Sequence, residues 1–226
     1  MGGKARAKPQ AVAKRIVLAL PKGRLSESVA KLFAEAGHDL SGLERKGRRL
    51  WADCGPFRVL VLRGADVATY VSHGIADVGV VGSDVLSESK PDVYQPLDLD
   101  LGKCRLAIAE AKARPVDLRS QVHLRVATKY PVLAREHFRN RGMPVEIVKL
   151  AGAVELAPLL GLADQIVDLV ETGTTLRENG LVEVETILAI SARLVVNRAS
   201  FRLRGAEIGE LIDRLGAALE RRALSV

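Results

Sequence analysis

The stretch Asp168-Leu-Val-Glu-Thr-Gly-Thr-Thr175 carries residue types suited to gripping an anion that also bears hydroxyls. An apolar run, Gln165 to Val170, reads as a buried strand, and it meets a turn rich in hydroxyls at Thr172, Gly173, Thr174 and Thr175. A segment with helix-forming character follows. A strand–turn–helix junction leaves several backbone N–H groups free to meet an anion. The three threonines add donors, and Gly173 lets the backbone close around a bulky group. Asp168 and Glu171 make poor neighbours for a bare phosphate. They suit a ligand with hydroxyls or a bound cation, as a ribose 5-phosphate has. The same residues also make an ordinary polar helix cap.

Other polar groups cluster where apolar runs end. Pro21-Lys-Gly-Arg24 sets Lys22 and Arg24 around a glycine, a pattern for a polyphosphate clamp with lysine as point charge and arginine as fork. It is equally a solvated loop. Arg63 directly follows the apolar Val59-Leu-Val-Leu62 and either faces solvent or points into a cleft. In Gly74-Ile-Ala-Asp-Val-Gly-Val-Val-Gly-Ser-Asp84, the glycines, Gly82 among them, allow close backbone approach or tight strand–helix packing. Asp84 lies just beyond. Thr128 and Tyr130 end another strand, with Pro131 placed to open a helix. Glu155 is either a cleft acid or an ordinary first-turn helix acid.

The elements that must position these groups alternate. Strand-length apolar runs at Arg15–Leu20, Phe57–Leu62, Ala76–Gly82, Arg105–Ala109, Leu124–Thr128, Val145–Leu150 and Gln165–Val170 interleave with helical spacing at Ser26–Ala36, Ala65–His73, Val132–Arg139 and Val154–Leu160. Such alternation argues for α/β architecture with parallel sheets covered on both faces. Leu181–Leu188 alternates like an exposed antiparallel strand, and Ser191–Asn197 resembles another. Ile208, Leu211, Ile212, Leu215 and Leu219 form one face of a terminal amphipathic helix. The expected division is a disordered basic tail (1–14), a discontinuous first domain (15–104 plus 181–226) and a second (105–180) carrying the hydroxyl-rich turn. Two small α/β domains place a ligand in the cleft between them, at the carboxyl ends of strands.

Composition narrows the function. Of the net charge of +7, four units come from Lys4, Arg6, Lys8 and Lys14. The modest remainder suits a polyanionic small molecule better than a nucleic-acid surface. Aromatics make up 4%, too few for base stacking to dominate. No apolar run reaches the roughly 20 residues of a membrane helix, and no secretory signal is visible, so a cytoplasmic protein is expected. Cys54 and Cys104 show no metal-ligand spacing. His38, His73, His123 and His137 pair with no Cys or carboxylate at ligand spacing. Walker, dinucleotide-fingerprint and nucleophile-elbow motifs are missing.

An ordered set now resembles a known family. Leu20-Pro-Lys-Gly-Arg-Leu25, Asp77-Val-Gly-Val-Val-Gly-Ser-Asp84, Cys104-Arg-Leu-Ala-Ile108, Ala127-Thr-Lys-Tyr-Pro131, Gly152-Ala-Val-Glu-Leu-Ala-Pro158 and Asp168-Leu-Val-Glu-Thr-Gly-Thr-Thr175 look like ATP phosphoribosyltransferase. The resemblance covers about Arg15 to the C-terminus. It implies a fold like type II periplasmic binding proteins, and transfer of phosphoribosyl from phosphoribosyl pyrophosphate to N1 of ATP, with Mg2+. It implies that Thr172, Gly173, Thr174 and Thr175 hold the 5-phosphate. Asp168 and Glu171 would meet the ribose hydroxyls directly or through Mg2+, with no metal cage made of protein alone. Lys22 and Arg24 would hold pyrophosphate or ATP phosphates with Arg63 assisting, and Gly82, Asp84, Thr128, Tyr130 and Glu155 would contribute to substrate binding. The chain leaves no room for the ACT-like regulatory domain of longer members. The short form is therefore expected, working as a dimer within a hetero-oligomer with a histidyl-tRNA synthetase-like regulatory subunit, and touching neither nucleic acid nor membrane. The rival reading is a non-catalytic small-molecule-binding module on the same scaffold.

Overall fold

A computed structural model describes residues 15–46, 49–117 and 123–224; the expected basic tail, 1–14, lies outside them. The apolar opening run is β1 (Ile16–Pro21), followed by α1 (Arg24–Glu35), β2 (Trp51–Cys54), β3 (Phe57–Leu62), α2 (Gly64–Ser72), β4 (Val78–Gly82), α3 (Ser83–Ser89) and β5 (Tyr94–Asp98). Next come β6 (Cys104–Ala111), β7 (Leu124–Thr128), α4 (Pro131–Asn140), β8 (Val145–Lys149), α5 (Leu156–Leu159), β9 (Gln165–Val170), α6 (Thr174–Glu178) and β10 (Leu181–Ile190). The chain closes with β11 (Ala192–Val196), α7 (Arg198–Leu203) and α8 (Gly205–Ala223).

Two sheets result. The first has the order β2-β3-β1-β4-β11-β5 and the second β10-β6-β9-β7-β8. β1 is apolar on both faces because it is central: it runs parallel to β3 and β4 and is covered on both sides. Val29, Leu32 and Phe33 of α1 share one core with Ile208, Leu211 and Leu215 of α8. Val67, Ala68 and Val71 of α2 fill the opposite face. In the second sheet, Ala134 and Phe138 of α4 cover Val126 and Val167. The other face packs Ala107, Ala127 and Ile166 against Val154, Ala157 and Leu176.

The sheets are mixed, not purely parallel. β2, β6, β10 and β11 pair antiparallel with their neighbours. The expected boundary at residue 181 needs correction: Leu181–Ile190 pairs along β6 and forms the edge of the second sheet. Only from Ala192 does the chain rejoin the first sheet, beside β4. The alternation in this segment reports an edge strand, and alternation alone does not say which sheet the strand edges.

The polypeptide passes between the sheets twice, and the two passages lie side by side. Leu99 N–H donates to the Ala192 carbonyl at 2.9 Å, and Ala192 N–H donates to the Leu101 carbonyl at 2.9 Å. Ser191 Oγ donates to Asp98 Oδ2 at 3.0 Å, and Arg193 pairs with the same carboxylate at 2.9 Å. None of the described helices is long and apolar enough to cross a membrane.

Among the glycines of Gly74–Gly82, Gly79 answers to packing. A Cβ there would lie 2.7 Å from Val71 Cγ2 and 2.9 Å from Val67 Cγ1. Gly79→Ala should therefore push α2 off the sheet and lower stability by about 1–3 kcal/mol in urea unfolding. An unchanged midpoint would mean that α2 is not seated this tightly.

Candidate active site

The sharpest geometry lies where β9 runs out. Gly173 adopts a left-handed conformation (φ 73°), which turns the chain from strand into α6 at little steric cost. The hydroxyls of Thr172 and Thr174 are 3.0 Å apart, and Thr174 N–H donates to Thr172 Oγ1 at 3.4 Å. α6 is only five residues long, so a helix dipole adds little here. Hydroxyls and turn amides are the donors this junction offers.

Asp168 stands just before this turn on β9 and is 7% exposed. Burial pushes its carboxyl pKa above the usual aspartate range; the Leu169 N–H and nearby Lys129 pull it down, and Glu155 pushes it up. Leu169 N–H donates to Oδ1 at 2.9 Å, and Lys129 Nζ approaches Oδ2 at 3.3 Å. Glu155 precedes α5, half-buried, and lines the same cavity as Asp168. It stands both at a helix start and on the cleft, so each of its two readings keeps a basis. Arg105 fastens this corner, donating to the Glu171 carbonyl at 3.1 Å while its other guanidinium nitrogens grip Glu183.

A cavity of about 810 Å³ opens between the sheets here. One wall is Asp168 through Leu176 with Glu155. The other is Arg24, Leu25 and Ser28 of α1 with Gly102, Lys103 and Cys104 from the first crossing. Arg24 reaches across to Glu171 at 3.7 Å, both side chains well exposed. Such a pair is weak and easily displaced.

The structure does not gather every expected residue. Lys22 borders a different cavity, with Ser26, Asp39 and Leu50, because the chain turns sharply at Gly23 (φ 94°) and the two cations diverge. Arg63 is exposed before α2 and borders neither cavity. Thr128 is a correction: it is fully buried, donating to the Val167 carbonyl at 2.6 Å and accepting from Tyr130 N–H at 2.8 Å. Its hydroxyl is consumed by the sheet.

Asp84 and Tyr130 meet in a second lobe of the cleft, of about 730 Å³, that also includes Lys129 and Lys149. The Tyr130 hydroxyl donates to Asp84 Oδ2 at 2.9 Å, and burial, then the Asp84 charge, drives the phenol's pKa far up. A Cβ at Gly82 would meet Asp84 Oδ1, so a larger residue there would turn that carboxylate aside. Nearby, Glu88 of the first sheet's α3 accepts from Val132 and Leu133 N–H at 2.9 Å each, capping α4 of the second.

Two residues escaped the sequence reading. Lys129 lay within a noted motif, but its pairing with Asp168 joins neighbouring strand ends 39 positions apart. Arg177 folds back onto the turn, donating to the Thr172 carbonyl at 3.1 Å and to Thr174 Oγ1 at 3.0 Å. Its spacing of three from Thr174 on a helix was the available signal. Among the described residues, no group of three or more His, Cys, Asp and Glu is arranged to hold a metal ion.

The family profile described as ATP phosphoribosyltransferase (HisG) matches residues 63–217. The chain belongs to the ATP phosphoribosyltransferase family. The Geobacillus kaustophilus ATP phosphoribosyltransferase is 47% identical over 206 residues, covering 90% of this chain and 98% of that one. The Clostridium acetobutylicum enzyme is 46% identical over 210 residues, covering 92% and 97%. The ATP phosphoribosyl transferase (HisG:HisZ) complex from Thermotoga maritima superimposes with a TM-score of 0.78 at 33% identity, covering 91% of this chain and 99% of that one. A protein solved with L-arginine also superimposes, with a TM-score of 0.60 at 14% identity over 95% and 87%, a likeness of fold alone. The fold is thus of the type II periplasmic-binding-protein kind. The protein is an enzyme: it transfers phosphoribosyl from phosphoribosyl pyrophosphate to N1 of ATP, releasing pyrophosphate, in the first step of histidine biosynthesis. The rival reading, a non-catalytic binder, falls.

The electrostatics of Asp168 can be measured directly. A carbon-13 NMR titration should place its carboxyl above the ordinary aspartate value of about 3.9. Lys129→Met, which removes a lowering influence, should move it higher still. A downward move would contradict the charge arrangement.

Proposed function

We propose that the Thr172–Thr175 turn holds the 5-phosphate of phosphoribosyl pyrophosphate in the 810 Å³ cavity, with Asp168 and Glu171 on the ribose hydroxyls. Arg24 takes the pyrophosphate or the ATP phosphates from the opposite wall; Lys22 and Arg63 assist only as the sheets close on substrate. The observation that carries this reading is the pairing, on one wall, of a hydroxyl turn with a carboxylate that burial disfavours as an anion. A desolvated carboxylate responds strongly to positive charge nearby. As pyrophosphate departs, positive charge grows on the sugar, and Asp168 faces it. Adenine N1 is already nucleophilic, so positioning and charge carry the catalysis, with no general base.

Asp168, Glu171 and Glu155 line one cavity and would hold a magnesium ion that arrives on the diphosphate. A magnesium ion held by these carboxylates would supply positive charge to the diphosphate leaving group. Asp168 and Glu171 orient the sugar hydroxyls, and Arg24 releases Glu171 to meet incoming phosphate.

We further infer that the chain is the short-form subunit, acting in the cytoplasm as a dimer within a hetero-oligomer with a histidyl-tRNA synthetase-like regulatory subunit. Near-complete coverage of the Thermotoga maritima HisG chain supports this. Sedimentation should show a dimer of this chain alone and a larger assembly with the partner. A mass unchanged by the partner would remove the assignment.

The site is tested by Asp168→Asn combined with Thr174→Ala, which should abolish turnover, each lost contact contributing roughly 10²–10³ by analogy with lost oxyanion donors. Folding should survive. Because Asp168's folded pKa is raised, the stability it contributes is present below its unfolded pKa and is lost as pH rises through the folded one. At neutral pH, Asp168→Asn should therefore hold or raise Tm. Retained activity would remove the site assignment.

A further inference from the structure

Arg177 is the strongest unassigned group beside the site. It pairs with no carboxylate among the described residues and spends its fork on the turn itself, one arm on the Thr172 carbonyl and the other on Thr174 Oγ1. Gly173 makes room for it: a Cβ there would lie 3.2 Å from Arg177 Nη1. Position 173 thus answers to two demands, the left-handed bend and the guanidinium lying against it.

Counting hydrogens shows what the fork does. Between the Thr172 and Thr174 hydroxyls, 3.0 Å apart, one must donate to the other. Thr174 Oγ1 also accepts from Arg177, and Thr172 Oγ1 also accepts from Thr174 N–H. Whichever hydroxyl donates, the receiving oxygen has both lone pairs engaged and keeps one O–H free. With Arg177 in place the two hydroxyls keep one free O–H against one open lone pair; without it, Thr174 Oγ1 regains a second, and acceptor sites outnumber donors two to one. An oxyanion needs donors only.

We propose that Arg177 is a positioning residue for phosphoribosyl pyrophosphate. Its fork sets the Thr172 carbonyl and the Thr174 hydroxyl so that the turn presents donors, and it places an unneutralised positive charge behind them. This rests on the reading that the turn holds the 5-phosphate. A lysine cannot do the same, because a single ammonium lacks the planar fork that spans both acceptors.

The test is steady-state kinetics and thermal unfolding of Arg177→Ala, Arg177→Lys and, as reference, Thr174→Ala. Losing a charge-assisted pair of contacts should raise KM for phosphoribosyl pyrophosphate by about ten- to a hundredfold in Arg177→Ala. KM for ATP and Tm should stay at their wild-type values, and Arg177→Lys should resemble Arg177→Ala. A wild-type KM in Arg177→Ala, with a raised one in Thr174→Ala, overturns the role of Arg177 and keeps the turn. Wild-type values in Thr174→Ala remove the reading of the turn itself. Equal rises for both substrates, a drop in Tm, or full rescue by lysine would each also overturn the proposal.

Discussion

Two chain crossings, hydrogen-bonded to each other, join the two sheets. Asp98 is their tie point, accepting from Ser191 and pairing with Arg193. A double crossing restrains twist between the layers more than a single strand of chain could, yet it leaves room for them to open and close. Everything chemical lies on the rim of the cleft this creates. The second crossing exists because β10 completes the second sheet before the chain returns, so the edge of one sheet and the joint between both are built by one segment.

The cleft walls are physically unlike. The second sheet supplies a stiff wall: a buried carboxylate, a turn braced by Arg177, and Arg105 tying the Glu171 backbone to β10. The first sheet's side supplies an exposed cation at the start of α1, Arg24, only loosely paired. A stiff wall suits recognition of a sugar phosphate, whose geometry is fixed. An exposed, loosely paired cation suits phosphates whose positions change as pyrophosphate leaves. The Glu88 cap on α4, the Tyr130–Asp84 hydrogen bond and the Lys90–Glu136 pair are among the contacts that bridge the two parts.

The legible parts of the fold were those in which a local pattern has one cause. β1, β3, β4 and β9 were visible because central strands must be apolar on both faces. β2 and β5 were not: Trp51–Cys54 and Tyr94–Asp98 sit at sheet edges, mostly exposed, and Pro96 interrupts the second. The hydroxyl turn was legible, since its glycine and threonines act locally. The fate of Thr128 was not, because its hydroxyl is used up by a carbonyl 39 positions away.

By itself, the order of residues determined the alternation of strands and helices, the family, and a turn chemically fit for an anion; these follow from periodicity, side-chain type and short-range bend geometry. Tertiary structure alone decided that Leu181–Ile190 edges the second sheet, that Arg24 faces Glu171, and that Lys129 meets Asp168. The reason is distance along the chain. Burial, pairing and the pKa of a carboxylate depend on neighbours brought near by folding, and no local pattern names them.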